Sequence, residues 1–331
     1  MNKVRNSLYV YLPRDWCDEH HLEKHSEVIL ERIQDGSLHI LPKSTLRKEK
    51  GRLNIGIDDK HKKDLANLLV GAYIVGVGEL ELKFDESLDM ATRENISKWV
   101  DKLEGWGILD EHSNSVLISD LLTSDRDVIR KVLRRQFATT KYMLERTISL
   151  LETGETKDHM HILSRDEQVD RNRYLVERLC HLVLRDPSYA RVVSLSPPDA
   201  LNFSLAAKHV ERIADHVCEA LVELTKSTTI DTKLKNLATS IVSVYDKTNL
   251  VFFSIDKQGH SDQEGLTSDS TEAFDALKEA TELANSLRRL ESSRKEKEPH
   301  EILLALHLGR IASYCADIIE IGINRIIMSR L

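Results

Sequence analysis

The sequence predicts a multidomain chain: a small β-rich N-terminal domain, a small α+β domain, and an all-α region built as two three-helix bundles. Three observations carry this. β-forming runs and turn dipeptides crowd the first 45 residues, as in SLYVYLP and EVILERIQDGSLHILP. Strand-like and helix-like segments alternate over 52–124. From about 125 onward, apolar residues recur at helical spacing almost throughout.

In the first block, 1–45, SLYVYLP is a strand candidate, and RDWCDEHHL follows with Trp16 and Leu22 at helical spacing. EVILERI and SLHILP flank Asp35-Gly36, a dipeptide suited to a type I′ hairpin turn. A strand, a short helix and a hairpin cannot bury enough apolar surface alone. The block therefore needs a partner, most simply its own copy in a homodimer.

The second block, 52–124, reads β-α-β-α-β-β: RLNIGI, KHKKDLANLLVGAYIVG, GELELKF, MATRENISKWVDKLEG, then GILDE and SVLIS around HSN. Ile96, Trp99, Val100 and Leu103 line one face of its second helix. It carries no glycine-rich phosphate loop and no evident catalytic cluster.

The third block, 125–331, should hold six helices at about 125–153, 159–185, 198–226, 231–259, 268–295 and 299–329. Gly154, Asp186-Pro187, Pro197-Pro198, Gly259 and Pro299 mark the joints. AKHVERIADHVCEAL (207–221) aligns without gaps to ALHLGRIASYCADII (305–319), 98 residues on, with Ala207/Ala305, His209/His307, Arg212/Arg310, Ile213/Ile311 and Ala214/Ala312 identical. Such a repeat implies two bundles side by side, 125–228 and 229–331.

Charge is unevenly spread. The whole chain carries −7, yet residues 1–52 hold ten Lys/Arg against eight Asp/Glu, so only the N-terminus is net positive. Cys17, Cys180, Cys218 and Cys315 are far apart and form no CxxC, which reads as reduced thiols in the cytoplasm. The run LANLLVGAYIVGVG is shorter than the roughly 18–20 residues a membrane span needs, so no membrane insertion is expected. The opening MNKVRNSLYVYLPRD is broken by Pro13 and does not read as a signal peptide.

Residues 209–221, HVERIADHVCEAL, set Glu211 and Asp215 on one helical face beside the apolar stripe Val210, Ile213, Ala214, Val217 and Leu221. Acids fill about one position in six, so this spacing arises readily by chance. The two acids are either a solvated edge paired with Arg212 or metal ligands.

The repeat, the ERIADH core and DEQVDRNRYLVERLCHLVLRD (166–186) resemble the PhoU family of phosphate-uptake regulators over roughly 125–331. That resemblance implies paired E/D-x-x-x-D motifs holding metal ions: here Asp166 with Asp170, and Glu211 with Asp215. Four hard carboxylate ligands suit Mg, Mn, Ca or Fe; the family points to iron or zinc clusters, so a divalent or trivalent metal is the expected cofactor. The competing reading is an acidic face neutralised by Arg173 and Arg212. In the second repeat Gly309 and Ser313 stand where Glu and Asp are expected, and ATELANSLRRLESS offers no aligned acid pair, so that site is expected to be lost.

SLYVYLPRDWCDEHHLEKHSEVILERIQDGSLHILP is similar to the SpoVT/AbrB-like swapped-hairpin DNA-binding domain. Family members usually have glycine where this chain has His21 and His25. These two histidines are also spaced i, i+4 like metal ligands, but no third ligand matches them. His159 and His161 precede Asp166 and could reach it. For DNA the candidates are Lys3, Arg5, Arg14, Lys43, Arg47 and Lys48, with Lys50 and Arg52 in the following linker. Asp15, Asp18, Glu19 and Glu23 make the first helix acidic, so it should face away from DNA.

The function implied is a non-enzymatic, DNA-binding regulator of phosphate uptake. The alternative is an adaptor that docks a phosphate transporter or sensor protein, with the N-terminal block only dimerising. An enzyme is not expected: no nucleophile–base constellation stands out, and no Glu-x-x-His repeat of ferritin type is suitably placed.

Overall fold

The computed structural model describes residues 2–4, 7–32, 36–42, 52–58, 60–121, 126–154, 159–227, 230–257, 265–292 and 299–330. The chain divides into two compact units, Met1–Leu53 and Asn54–Leu331.

In the first unit, β1 (Asn2–Val4) pairs antiparallel with β2 (Ser7–Tyr9), and α1 (Arg14–Glu19) follows. β3 (Val28–Arg32) and β4 (Leu38–Pro42) form the expected hairpin, in register from Val28↔Pro42 to Arg32↔Leu38. Gly36 takes φ +84°, the left-handed conformation anticipated beside the turn; Asp35 lies outside the described residues. Leu30 and Leu38 of the hairpin are exposed, as are Val10 and Tyr11 just after β2. α1 stops at Glu19, three residues short of Leu22, because the chain turns into the left-handed region at His21 (φ +52°). His25 does the same (φ +76°). Histidine thus keeps the backbone that glycine supplies in the resembling family. A left-handed non-glycine residue costs roughly 1–2 kcal/mol, partly offset by glycine's larger entropy loss on folding. The double substitution His21→Gly, His25→Gly should therefore stabilise this unit by about 1 kcal/mol. A lower melting temperature for the full-length variant would show that the histidine side chains themselves hold the turns.

The small α+β domain follows in the expected order, with β5 (Arg52–Ile57) running across the unit boundary and then α2 (Leu65–Ile74), β6 (Glu79–Phe84), α3 (Met90–Lys102), β7 (Trp106–Glu111) and β8 (Ser115–Asp120). Its sheet runs β5-β6-β8-β7, with β8 antiparallel to both neighbours. Leu80, Leu82, Phe84, Val116 and Ile118 alternate inward, against Leu69 and Tyr73 of α2 and Ile96 and Val100 of α3. Asp89 caps α3 by accepting from the Thr92 amide at 2.6 Å.

The helical region comprises α4 (Val128–Thr153), α5 (His159–Leu163), α6 (Asp166–Arg185), α7 (Pro187–Val192), α8 (Pro197–Lys226), α9 (Thr232–Phe252), α10 (Gly265–Ser292) and α11 (Pro299–Met328). α4, α6 and α8 pack together, α9, α10 and α11 pack together, and α8 meets α11 between the two bundles. This is the double three-helix bundle expected from the repeat. The helix expected over 159–185 is two helices, broken at Ser164-Arg165. Asp186-Pro187 starts a helix as well as ending one, since the Asp186 side chain accepts from the amides of Ser188 and Tyr189 and caps α7. The helix expected to 259 ends at Phe252 and passes into a 3-10 turn, Ser254–Lys257. Ser196 caps α8, whose first two residues are the Pro197-Pro198 pair. α11, unlike the shorter run LANLLVGAYIVGVG, is long and apolar enough to cross a membrane by length and composition. Leu304, Leu308, Ile311, Ile318 and Ile319 of α11 are buried in the core, where it packs on α8, α9 and α10, while Leu303 and Ile327 stay exposed.

Two buried arginines tie the unit together. Arg325 of α11 bonds Asp199 Oδ1 of α8 and Asp256 Oδ1 of the 3-10 turn, both at 3.1 Å, and donates to the Phe252 carbonyl. It lies against the rings of Phe203 and Phe252. Gly322 lets α11 approach there: a Cβ at that position would sit 2.8 Å from Val251 Cγ1. Arg178 of α6, 1% exposed, reaches into the α+β domain. It donates to the Tyr73 carbonyl (2.5 Å), the Val77 carbonyl (3.0 Å) and Asp120 Oδ2 (2.7 Å). Arg185, further along α6, donates to the Val75 and Gly76 carbonyls. The small domain is therefore docked on the helix that carries Asp166 and Asp170.

Candidate functional site

Asp166 and Asp170 occupy the first two turns of α6, and Glu211 and Asp215 lie in the middle of α8, which packs alongside. The structure brings the four carboxyls into one electrostatic cluster. Burial pushes the Asp166 carboxyl up to about 6, and Asp170, Asp215 and Glu211 push it the same way. Burial also raises Asp170 and Glu211, and the Asp215 carboxylate adds to both.

The two arginines named as competitors are present. Glu211 is only 7% exposed, so it is no solvated edge. Arg173 Nε lies 3.6 Å from its Oε1, and Arg212 Nε lies 3.6 Å from its Oε2. Arg212 also donates to Asp215 Oδ2 at 3.1 Å, while Arg173 grips both oxygens of Glu177 at 3.0 Å. Even so, Asp166 Oδ1 and Glu211 Oε2 are buried without a hydrogen-bond partner. Orphaned carboxylate oxygens in a cluster that raises its own proton affinity are what a cation relieves. Among the described residues no three His, Cys, Asp or Glu side chains stand ready to hold an ion as oriented. The donor set fits a hard cation in type and charge, and loading it requires side-chain rotation, for which the half-exposed Arg212 has room.

The cluster opens to solvent through a cleft of about 480 Å³, lined by Asp166, Arg212, Asp215, His216, Cys218, Glu219 and Tyr314. Cys218 lines the cleft beside Asp166, and its thiol is pushed well up by burial and the neighbouring acids. Glu219 was missed in the sequence, although Glu211, Asp215 and Glu219 recur at i, i+4, i+8 on one helical face. His216 and His307 bring their Nδ1 atoms to 3.1 Å across the α8–α11 contact, which no spacing within one helix reveals. Burial lowers both, His216 to about 4. His161 faces Arg165, with ring and guanidinium nitrogens 3.4 Å apart.

A pH dependence follows for the metal-free protein. A raised carboxyl pKa means the folded chain holds a proton that the unfolded chain has released. Asp166 therefore contributes stability that is present below about pH 4 and lost as pH rises through about 6. His216 acts in the opposite sense, contributing stability above about 6.5 that is lost as pH falls toward 4. Asp166→Asn isolates the first effect. In chelator, the variant should gain melting temperature over wild type at pH 7 and lose that gain near pH 4. A difference independent of pH would exclude Asp166 as the titrating group.

Of the nucleic-acid candidates, Arg14 is exposed at the first turn of α1, and Lys3 lies in β1. Arg5, Lys43, Arg47 and Lys48 lie outside the described residues. The acidic residues Asp15, Asp18 and Glu19 of α1 are exposed.

With this geometry in view, two family models match the chain. Residues 133–222 match the PhoU domain, covering most of α4, all of α6 and most of α8, hence all four clustered carboxyls. Residues 1–48 match the domain described as antidote-toxin recognition MazE, bacterial antitoxin. The two matches stand in the order that the resemblances implied, the MazE model at the N-terminus and the PhoU domain model in the first helical bundle. No curated protein and no solved structure matches it.

Proposed function

We propose that the chain is a cytoplasmic, DNA-binding regulator of phosphate uptake, whose PhoU-like bundle carries a metal-sensitive acidic cluster. The observation that carries this reading is the union, in one chain, of the PhoU and MazE/AbrB-like matches, with four carboxyls gathered inside the first. Asp166, Asp170, Glu211 and Asp215 would hold the ion, which supplies positive charge where the fold gathers negative charge. All four ligands are hard oxygens, a set that favours ferric iron, manganese or magnesium; zinc would more often be met with His or Cys nitrogen and sulfur. An ion held there would tie α6 to α8 through their carboxylates, and α6 holds the α+β domain through Arg178 and Arg185. The reading is regulatory, not enzymatic.

The N-terminal unit is read as a homodimer. It exposes Val10, Tyr11, Leu30 and Leu38, which a second copy would cover. Lys3, Arg5, Arg14, Lys43, Arg47 and Lys48 supply the charge for binding DNA phosphates, doubled by the dimer.

Gel-shift titration of the full-length protein on DNA fragments selected from genomic DNA tests this. The double substitution Arg5→Ala, Arg14→Ala should weaken binding strongly and flatten the log K against log salt slope by about 0.9 for each phosphate no longer neutralised. Unchanged affinity at several salt concentrations would remove these two residues from the DNA surface. A second reading rests on the antitoxin description of residues 1–48: the unit recognises a protein, and the chain is an adaptor for a transporter, sensor or toxin. Absence of any DNA shift by a dimeric protein would favour it.

A further inference from the structure

We infer that the second bundle binds a phosphate group in the groove that corresponds to the acidic cleft of the first. The 98-residue repeat sets Gly309 on Glu211, Ser313 on Asp215 and Arg310 on Arg212. Both acids are lost, while the arginine is kept. The neighbouring helix changes as well. Where α6 presents Asp166 and Asp170 to α8, α10 presents Arg288 and Ser292 to α11, and the two helices bound an open cleft of about 410 Å³. The local charge is thereby reversed: two arginines face a single acid, Glu291.

Arg212 in the first bundle is engaged by Asp215 and Glu211. Its counterpart Arg310, and Arg288 opposite, have no ion-pair partner among the described residues, and both are exposed at the groove. Free guanidinium groups on two different helices can grip two edges of a tetrahedral oxyanion with paired hydrogen bonds. A planar carboxylate offers only one such edge, so a doubly charged phosphate suits the pair better. The Ser313 hydroxyl bonds back to the Gly309 carbonyl at 2.9 Å, and Ser292 bonds back to the Arg288 carbonyl at 2.9 Å. Rotation about one side-chain bond turns either hydroxyl toward the groove as a further donor. Gly309 adds no side chain to the cleft lining, where Glu211 stands in the first repeat. The volume lies in the range of small-molecule sites, roughly 300–1,000 Å³, so the phosphate can be free or the end of a small ester.

This inference stands apart from the DNA-binding and metal readings, and its test is arranged to keep it so. Full-length protein is titrated by calorimetry, in chelator and at fixed ionic strength, with inorganic phosphate and separately with glycerol 3-phosphate. Wild type should bind at low millimolar concentration or better. Arg288→Gln with Arg310→Gln should weaken binding about tenfold or more, the scale of one charged hydrogen bond. Ser313→Asp, which restores the acid of the first repeat, should weaken it similarly. Arg289→Gln, on the same turn of α10 but outside this groove, should bind as wild type does. Tighter binding of the ester would identify the ester as the ligand, and tighter binding of the ion the free phosphate. No heat with either ligand, an unaffected double variant, or equal loss in Arg289→Gln would overturn the assignment. Circular dichroism on each variant confirms folding, since both arginines are exposed.

Discussion

Replacing Arg178 with alanine should destabilise the second unit by about 3–5 kcal/mol, the cost of breaking a buried, hydrogen-bonded ion pair from one side. The guanidinium is buried, and its bonds all cross from α6 to the α+β domain: the carbonyls of Tyr73 and Val77, and the carboxylate of Asp120. Alanine leaves those acceptors without their arginine and opens a void beneath the rings of Tyr73 and Trp106, against which the guanidinium packs. Arg178→Met separates the two costs, because it restores most of the volume and none of the charge. It should recover only the packing part. Urea unfolding followed by tryptophan fluorescence reads the effect, since Trp106 reports on this contact. A midpoint unchanged in Arg178→Ala would mean that the domain is held on α6 by apolar contact alone.

Substitution of Asp215 by alanine should lower the metal content of the purified protein and abolish the stabilisation that added metal gives. An ion bound only by the folded chain stabilises it by about 2.7 kcal/mol at a hundred times its dissociation constant. Asp215 is the ligand to change because its carboxylate acts on Asp166, Asp170 and Glu211 alike. In chelator the same variant should be no less stable than wild type, because one like charge has been removed from the cluster. Ser313→Ala, at the matching position of the second bundle, should change neither metal content nor its stabilising effect. The measurements are metal stoichiometry and melting temperature, with and without chelator, for wild type and both variants. Equal metal content in wild type and Asp215→Ala would leave Arg173 and Arg212 as the partners of this acidic face.

The helical region was legible because its signals are local. The apolar period of α8, the proline pair at its start and the 98-residue repeat are all visible in the chain, and they fix helix, boundary and bundle together. The same holds for β6, β7 and β8, where alternation and turn residues act within a few positions. Errors gathered at boundaries where a side chain competes with the helix. Asp186 caps a new helix instead of leaving a loop, and His21 turns left-handed and ends α1 early. Asp-Pro reads as a break, and at His21 only the glycine of the resembling family hints at left-handed backbone, since histidine itself does not require it.

The candidate site was legible by halves. The spacing of Glu211 and Asp215 on one face follows from helix geometry, and the pair Asp166 and Asp170 from resemblance to the PhoU family. Helix period also carried Glu219, though it was not read from it. Which of these acids meet was decided only when α6 packed on α8, because side-chain proximity across helices has no period in the sequence. The same packing chose the arginines that share Glu211, set His216 against His307, and put Arg288 and Arg310 in the lining of one cleft with Gly309.

The sequence by itself therefore determined the elements, their order and the exchange of two acids for Gly309 and Ser313 between the repeats. These rest on propensity, period and residue identity, which act along the chain. The tertiary structure alone decided that Arg178 leaves its own bundle to satisfy carbonyls of the α+β domain, and that Arg325 serves three elements at once. A long polar side chain looks solvent-facing in any sequence pattern. Burying it is tolerable only where several acceptors converge, and that convergence exists only after the elements have packed.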